Sequence, residues 1–275
     1  MKDFAQMDFL AGEMLLFDKP LNWTSFDVVK KIRFLLRHHL GVKKIKVGHA
    51  GTLDPLASGL MIVCTGKATK KIDEYQGMAK EYIANIRLGS TTPTYDLESE
   101  PDQFFSYDHI TEENLNAVIN QFTGEIEQTP PIFSAIKVQG KKAYDLARKG
   151  KKVELKSRKI SIYEMKVTEL NLPDITVNVK CSKGTYIRSL AYDMGKALDS
   201  GAHLTGLRRT RIGEYSVDNA TNVIEFGKMF WENKTHEVND GLIGYTCEVF
   251  ETWQMWKLRC FVRIIGAYVA KSVNL

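Results

Sequence analysis

Apolar positions recur along the chain in two rhythms. MLLFDKP (14–20) is a short apolar run closed by a proline, the pattern of a buried strand that stops in a turn. In TSFDVVKKIRFLLRHHLG, Phe26, Val29, Ile32, Leu36 and Leu40 mark one face of a helix. Thr24 is placed to cap it, Asp27 follows three residues on, and Gly41 stops it. LMIVCTG (60–66) and KEYIANIRLG (80–89) predict strands. TEENLNAVINQFTG predicts a capped helix with the stripe Leu115, Val118, Ile119 and Phe122, ended by Gly124. Long alternation in KKVELKSRKISIYEMKVTEL (151–170) and in ITVNVKCSKG predicts two more strands. GTYIRSLAYDMGKALDSG is a last amphipathic helix, with Ile187, Leu190, Ala191, Met194 and Leu198 on one side. Strands and helices intermingle without a strict βαβ rhythm, so the expected class is α+β around a mixed sheet.

Length adds a division. The 275 residues suffice for one large domain and a small appendage. Residues 229–275 hold three of the four tryptophans and two of the four cysteines, and their five Lys/Arg balance five Asp/Glu. Residues 1–228 therefore carry the whole net charge of +5. That mild excess permits a nucleic-acid partner without demanding one. Lys30, Lys31, Arg33 and Arg37 on the first helix, with Lys43, Lys44 and Lys46 after it, gather much of it. None of the cysteines (Cys64, Cys181, Cys247, Cys260) forms a C-x-x-C pair, so free thiols are expected and neither a disulfide framework nor a metal site. The acidic N-terminus is not a signal peptide and no apolar run reaches membrane-spanning length. A cytoplasmic protein with no membrane contact is the expectation.

One carboxylate stands out against this background. In GHAGTLDPLASGLM (48–61), Asp54 lies between a glycine-rich turn and an apolar run with no counter-charge beside it. Carboxylates are seldom buried without a partner or a job. A phosphate loop fails, because Gly66-Lys67 is followed by Ala68 where a hydroxyl belongs and LMIVCT intervenes as a strand. A structural turn fits, since Asp before Pro starts turns and Thr52 is near. A catalytic carboxylate also fits. Gly48, Gly51 and Gly59 allow close backbone approach, His49 shares the loop, and Tyr82, Tyr186 and Arg188 lie in later segments. Aromatic rings stack bases, and arginine pairs with carboxylates or phosphates.

These segments resemble, in order, the motifs of one family. GHAGTLDPLASGLMIVCTGKATK is similar to the signature of the bacterial TruB-type tRNA pseudouridine-55 synthases. FDKPLNWTS, KEYIA, QTPPIFSAIKVQGKKAYDLARKG, CSKGTYIRSLAYDMGKAL and GAHLTGLRRTRIG resemble its other blocks, spanning residues 14 to about 215. The resemblance implies an α+β pseudouridine synthase fold, with a largely antiparallel central sheet flanked by helices. It implies isomerisation of uridine to pseudouridine at position 55 in the T-loop of tRNA, by a monomer that grips the T-arm and uses no metal or organic cofactor. Asp54 would be the catalytic aspartate. Tyr82 would stack on the flipped uracil, with proton transfer as a further role. Arg188 would pair with Asp54, and Tyr186 and Leu207 would line the pocket. His49 would hold the RNA loop once the base has left it, Lys19 and Pro20 would support the floor, and Arg208 and Arg209 would lie near RNA phosphate. Asp54 would attack C1′ or C6, or aid proton removal at C2′; the three routes stay open.

Three departures accompany the likeness. Asn22 replaces a glycine, and Asn tolerates a left-handed backbone. Thr92, Thr94 and Asp96 keep a T-x-T-x-D pattern without the glycine that usually follows. Residues 229–275 are too few for a complete PUA domain. Two other classes compete with the isomerase: a tRNA-folding chaperone acting without chemistry, and a hydrolase using Asp96 as second carboxylate.

Overall fold

The strand-like stretches assemble into a single large sheet in the computed structural model, which describes residues 6–134, 136–138, 140–148, 150 and 155–232. The strands are β1 (Met14–Lys19), β2 (Val47–His49), β3 (Ala57–Thr65), β4 (Lys80–Leu88), β5 (Ser90–Thr91), β6 (Gln103–Phe104), β7 (Gly124–Gln128), β8 (Lys137–Val138), β9 (Lys141–Lys142), β10 (Arg158–Asn171), β11 (Asp174–Cys181), β12 (Ala202–Ile212), β13 (Tyr215–Ser216) and β14 (Thr221–Asn222). The helices are α1 (Ser25–His39), α2 (Ile72–Gly77), α3 (Glu112–Phe122), α4 (Ala143–Ala147), α5 (Ile187–Ala197) and α6 (Val223–Glu232). Ten strands form the main sheet in the order β14-β1-β3-β12-β4-β11-β10-β7, with β2 on β3 and β13 on β12. Only β1–β14 and β3–β12 run parallel; the other ladders of this sheet are antiparallel. The sheet is thus mixed and largely antiparallel, as expected.

The chain divides into two compact units, Met1–Lys228 and Met229–Leu275, and everything below concerns the first. The second lies, from residue 233 on, outside the described residues.

Helix starts follow the capping chemistry in the sequence. Thr24 and Asp27 form a reciprocal capping box on α1, and Thr111 and Asn114 do the same on α3. Gly41, at φ +64, ends α1 in the left-handed conformation that glycine allows without steric cost. The apolar face of α1 differs from the expected one. Val28, Val29, Ile32, Leu35 and Leu36 are buried, whereas Phe26 is 63% exposed. Helices α3 and α5 cover β4, β10, β11 and β12 through a core that includes Leu115, Ile119, Ile187, Leu190, Val177 and Leu204. Each Å² of apolar surface removed from water stabilises by about 25 cal/mol, so this core anchors the helices to the sheet.

Three strands set up the site. In β1, alternation turns Leu15, Phe17 and Lys19 to the deeply buried face. Lys19 shares that face with Phe17, which is why a lysine ends up fully buried. Next, β3 pairs Lys19 with Gly59, and β12 pairs Arg209 with Gly59 from the other side. A Cβ on Gly59 would sit 2.2 Å from the Arg209 carbonyl oxygen, and its φ is +107, so the close approach of these two strands requires glycine. Beyond β12, β4 places Tyr82 opposite Arg209 and Ala84 opposite Leu207.

Candidate active site

Asp54 lies on the loop between β2 and β3, and its neighbours hold that loop from three directions. Ser25 Oγ, in the first turn of α1, accepts from Leu53 N at 2.8 Å and lies 3.0 Å from Leu53 O, to which it donates. The Asn22 amide donates to Pro55 O at 2.8 Å, from the left-handed φ of +63 that asparagine tolerates. Lys19 Nζ donates to the carbonyls of Pro20 (2.9 Å), Trp23 (2.6 Å) and Pro55 (3.4 Å). Burial brings the Lys19 ammonium down to about 8, opposed by the attraction of Asp54. Lys19 is thus a post beneath the loop.

The carboxylate faces Arg188. Asp54 Oδ2 is 2.9 Å from Arg188 Nε, at the start of α5, in an ion pair whose Nε–H is not aligned on that oxygen. The guanidinium is also fastened behind: Nη1 donates to Thr94 O and Nη2 to Phe133 O, both at 3.0 Å. Asp96 Oδ2 stands 3.7 Å from Nη1 and is itself buried. The Asp54 side chain keeps 40% of its accessible surface, against 6% for Arg188. That surface looks into cavities rather than off a convex face, so the surroundings still desolvate it. Burial raises the Asp54 pKa, Arg188 lowers it, and Asp96 and Glu98 raise it again; the net direction is upward.

Two cavities meet at this ion pair. The smaller, about 170 Å³, is lined by Thr52, Leu53, Asp54, Tyr82, Tyr186 and Leu207, among others. The larger, about 390 Å³, also touches Asp54, Arg188 and Leu207, and includes Leu21, Ile83 and Leu97. A polar groove of about 700 Å³ shares Tyr82 and Tyr186 and is walled by Arg158, Lys159 and Lys183. Tyr82 packs its ring against the core. Burial pushes its phenol above the ordinary value against the pull of Arg209, so it stays protonated near neutral pH. Tyr186 caps α5, where Gln128 grips both sides of its backbone, accepting from its N at 2.8 Å and donating to its O at 3.0 Å. The Arg158 guanidinium lies over the Tyr186 ring at 4.9 Å and donates to Gly184 O.

Asp54, Tyr82, Arg188, Tyr186 and Leu207 therefore line one space. His49 is half-buried at the end of β2; its Nδ1 has no hydrogen-bond partner among the described residues, and burial lowers its pKa. The two arginines expected near RNA phosphate are otherwise engaged. Arg209 is 1% exposed and donates through Nε to Leu60 O (2.7 Å) and through Nη2 to Gly51 O (3.1 Å). A buried arginine with its donors on backbone carbonyls is a brace between β12 and the 48–56 loop. Arg208 makes a two-point pair with Asp18, at 2.7 and 3.2 Å, while 40% of its side chain remains exposed. Adjacent strand residues point to opposite faces, which sends one inward and the other outward.

Residues 37–187 match the family model described as TruB family pseudouridylate synthase (N terminal domain). The chain belongs to this family. A second match, described as tRNA pseudouridylate synthase B C-terminal domain, covers residues 188–260 and so reaches into the segment read above as an appendage. The tRNA pseudouridine synthase B of Parabacteroides distasonis is 62% identical over 212 residues, covering 77% of this chain and 90% of that one. Its namesake from Phocaeicola vulgatus is 57% identical over 232 residues, covering 84% and 99%. Among solved structures, a Cbf5-Nop10-Gar1 complex matches with a TM-score of 0.63 and 29% identity over 86% of this chain and 60% of that one. An H/ACA RNP bound to a substrate RNA containing 2'-deoxyuridine gives 0.61 and 27%, over 87% and 59%.

Within this TruB-family site, sequence reasoning missed several parts. Asp96 sits behind Arg188, a place for which the T-x-T-x-D pattern was the available signal. Asp18, Ser25 and Gln128 lie within the blocks FDKPLNWTS and QTPPIFSAIKVQGKKAYDLARKG, but their roles, like that of Arg158, depend on which strands become neighbours. Among the described residues no cluster of His, Cys, Asp or Glu could hold a metal ion, and no helix is long and apolar enough to cross a membrane.

Proposed function

We propose that the cavity around Asp54 is where this TruB-family enzyme isomerises uridine to pseudouridine in tRNA, at position 55 of the T-loop. The observation that carries the reading is the Asp54–Arg188 ion pair at the mouth of a cavity shared by two tyrosines and Leu207. The reaction breaks a carbon–nitrogen glycosidic bond and rejoins the same ring through carbon, so the base must detach, turn and reattach without escaping. An everted base costs a few kcal/mol of stacking and pairing. Stacking on an aromatic ring returns about 1–3 kcal/mol, and Tyr82 is one of the two rings that line the space. Asp54 acts in its ionised form: Arg188 holds that charge against burial and against Asp96. Tyr186 lines the same cavity, steadied by Gln128 and Arg158. His49 fills the place the base leaves in the RNA loop. The groove bearing Arg158, Lys159 and Lys183 suits the flanking phosphates.

The buried free thiols Cys64 and Cys181 fit a reducing cytoplasm. Incubation with an unmodified tRNA transcript, followed by mapping of pseudouridine, tests the function. Wild type should modify the T-loop; Asp54→Asn should bind tRNA and turn nothing over. A wild-type protein that binds and refolds tRNA but leaves every uridine intact would support the chaperone instead.

A further inference from the structure

We propose that Tyr95 and Tyr192 form a positioning pair that holds Arg188, and through it Asp54, in the geometry the reaction needs; the inference rests on the function proposed above. The two rings stack with centroids 4.1 Å apart and planes 20° from parallel. Tyr95 stands between Thr94 and Asp96, the two loop residues that reach Arg188 Nη1. Tyr192 lies in α5 four residues beyond Arg188, one turn along the same helix face. The loop is therefore fastened to α5 at two points a turn apart, by the ring stack and by the guanidinium.

Other interactions do not replace that stack. Thr92 Oγ1 and Thr94 Oγ1 both donate to Asp96 O, which fixes the shape of the loop and not its seat on α5. Leu204 N donates to Tyr95 O at 3.0 Å, tying the loop to β12 instead. The Arg148–Glu98 pair is exposed, and such pairs are weak in water. Tyr95 has a φ of +62, a conformation disfavoured for a bulky side chain and kept only when the surroundings demand it. Neither tyrosine lines the cavities at Asp54 or the basic groove, so the pair acts through Arg188 and not on substrate.

Five groups face the carboxylate: Arg188 from α5, Asp96 and Glu98 from the loop, Lys19 from β1, and the Tyr82 phenol from β4. Arg188 is the strongest single charge among those of the loop and helix, so loosening it lets Asp54 take up a proton at higher pH.

Pseudouridine formation under single-turnover conditions, with the full chain and tRNA transcript, tests the pair. Tyr192→Leu removes one ring; Tyr95→Asn removes the other and keeps a residue that tolerates the left-handed turn. Each should slow the single-turnover rate about tenfold to a hundredfold with tRNA affinity unchanged. Each should move the acidic limb of the pH profile upward, and the double variant should fall no further than either single one. Tyr192→Phe, which keeps the stack, should behave as wild type. A wild-type rate and limb in Tyr95→Asn, additive losses, a loss confined to affinity, or failure of Tyr95→Asn to fold would each overturn the inference. An inactive wild type would instead defeat the proposed function and leave the two outcomes distinct.

Discussion

Asp54 is pulled in opposite directions by burial and by Arg188, and burial has the upper hand. An acid whose folded pKa is raised loses its charge at a higher pH than an exposed one. Turnover should therefore fall on acidification earlier than an ordinary carboxylate would dictate. Arg188→Lys should move that limb still higher and cut the rate about a hundredfold, because an ammonium cannot reach Asp54, Thr94 O and Phe133 O together. A pH–rate series on both proteins measures the two effects. Asp54, Tyr82 and Arg188 were readable as a group only through several motifs taken together; each alone had a structural explanation. Arg209 was not readable. Two consecutive arginines in a strand face opposite ways, and nothing local says which turns inward to Leu60 O and Gly51 O.

Elements were legible wherever their ends carry their own chemistry. The capping boxes of α1 and α3 and the stop at Gly41 all stand where hydroxyl, carboxamide or carboxylate and glycine spacing put them. The buried face of α1 was not, since Phe26 and Val28 begin two overlapping helical stripes and only the packed sheet chooses between them. Strand order is a further step removed: the parallel pairing of β3 with β12 joins segments far apart in sequence. That pairing is close enough to make a prediction. Gly59→Ala would drive a methyl into the Arg209 carbonyl at a positive φ, and should destabilise the fold by about 2–3 kcal/mol, read as a lower urea midpoint.

For the molecule as a whole, charge decides how tRNA arrives. Lys30, Lys43, Lys44 and Lys46 are exposed, whereas Lys31 is half-buried with its pKa lowered by desolvation and Arg33 donates to Val47 O. Replacing the four exposed lysines by Gln should weaken tRNA binding and flatten its salt dependence, by nearly one unit of log–log slope for each phosphate no longer neutralised. Titrations at several salt concentrations give that slope; an unchanged value would place the RNA elsewhere. Deeper in, β12 carries Leu207 along the border of the 170 Å³ and 390 Å³ spaces, both of which open on Asp54. With Asp54 and Arg188, that aliphatic side chain is part of the wall shared by two adjoining rooms. While it stands, it narrows the space in which a pyrimidine cut loose from its sugar could turn over. With Leu207→Ala the rooms merge, and some of the cargo should drift off as free uracil, detectable by chromatography beside a strand left abasic.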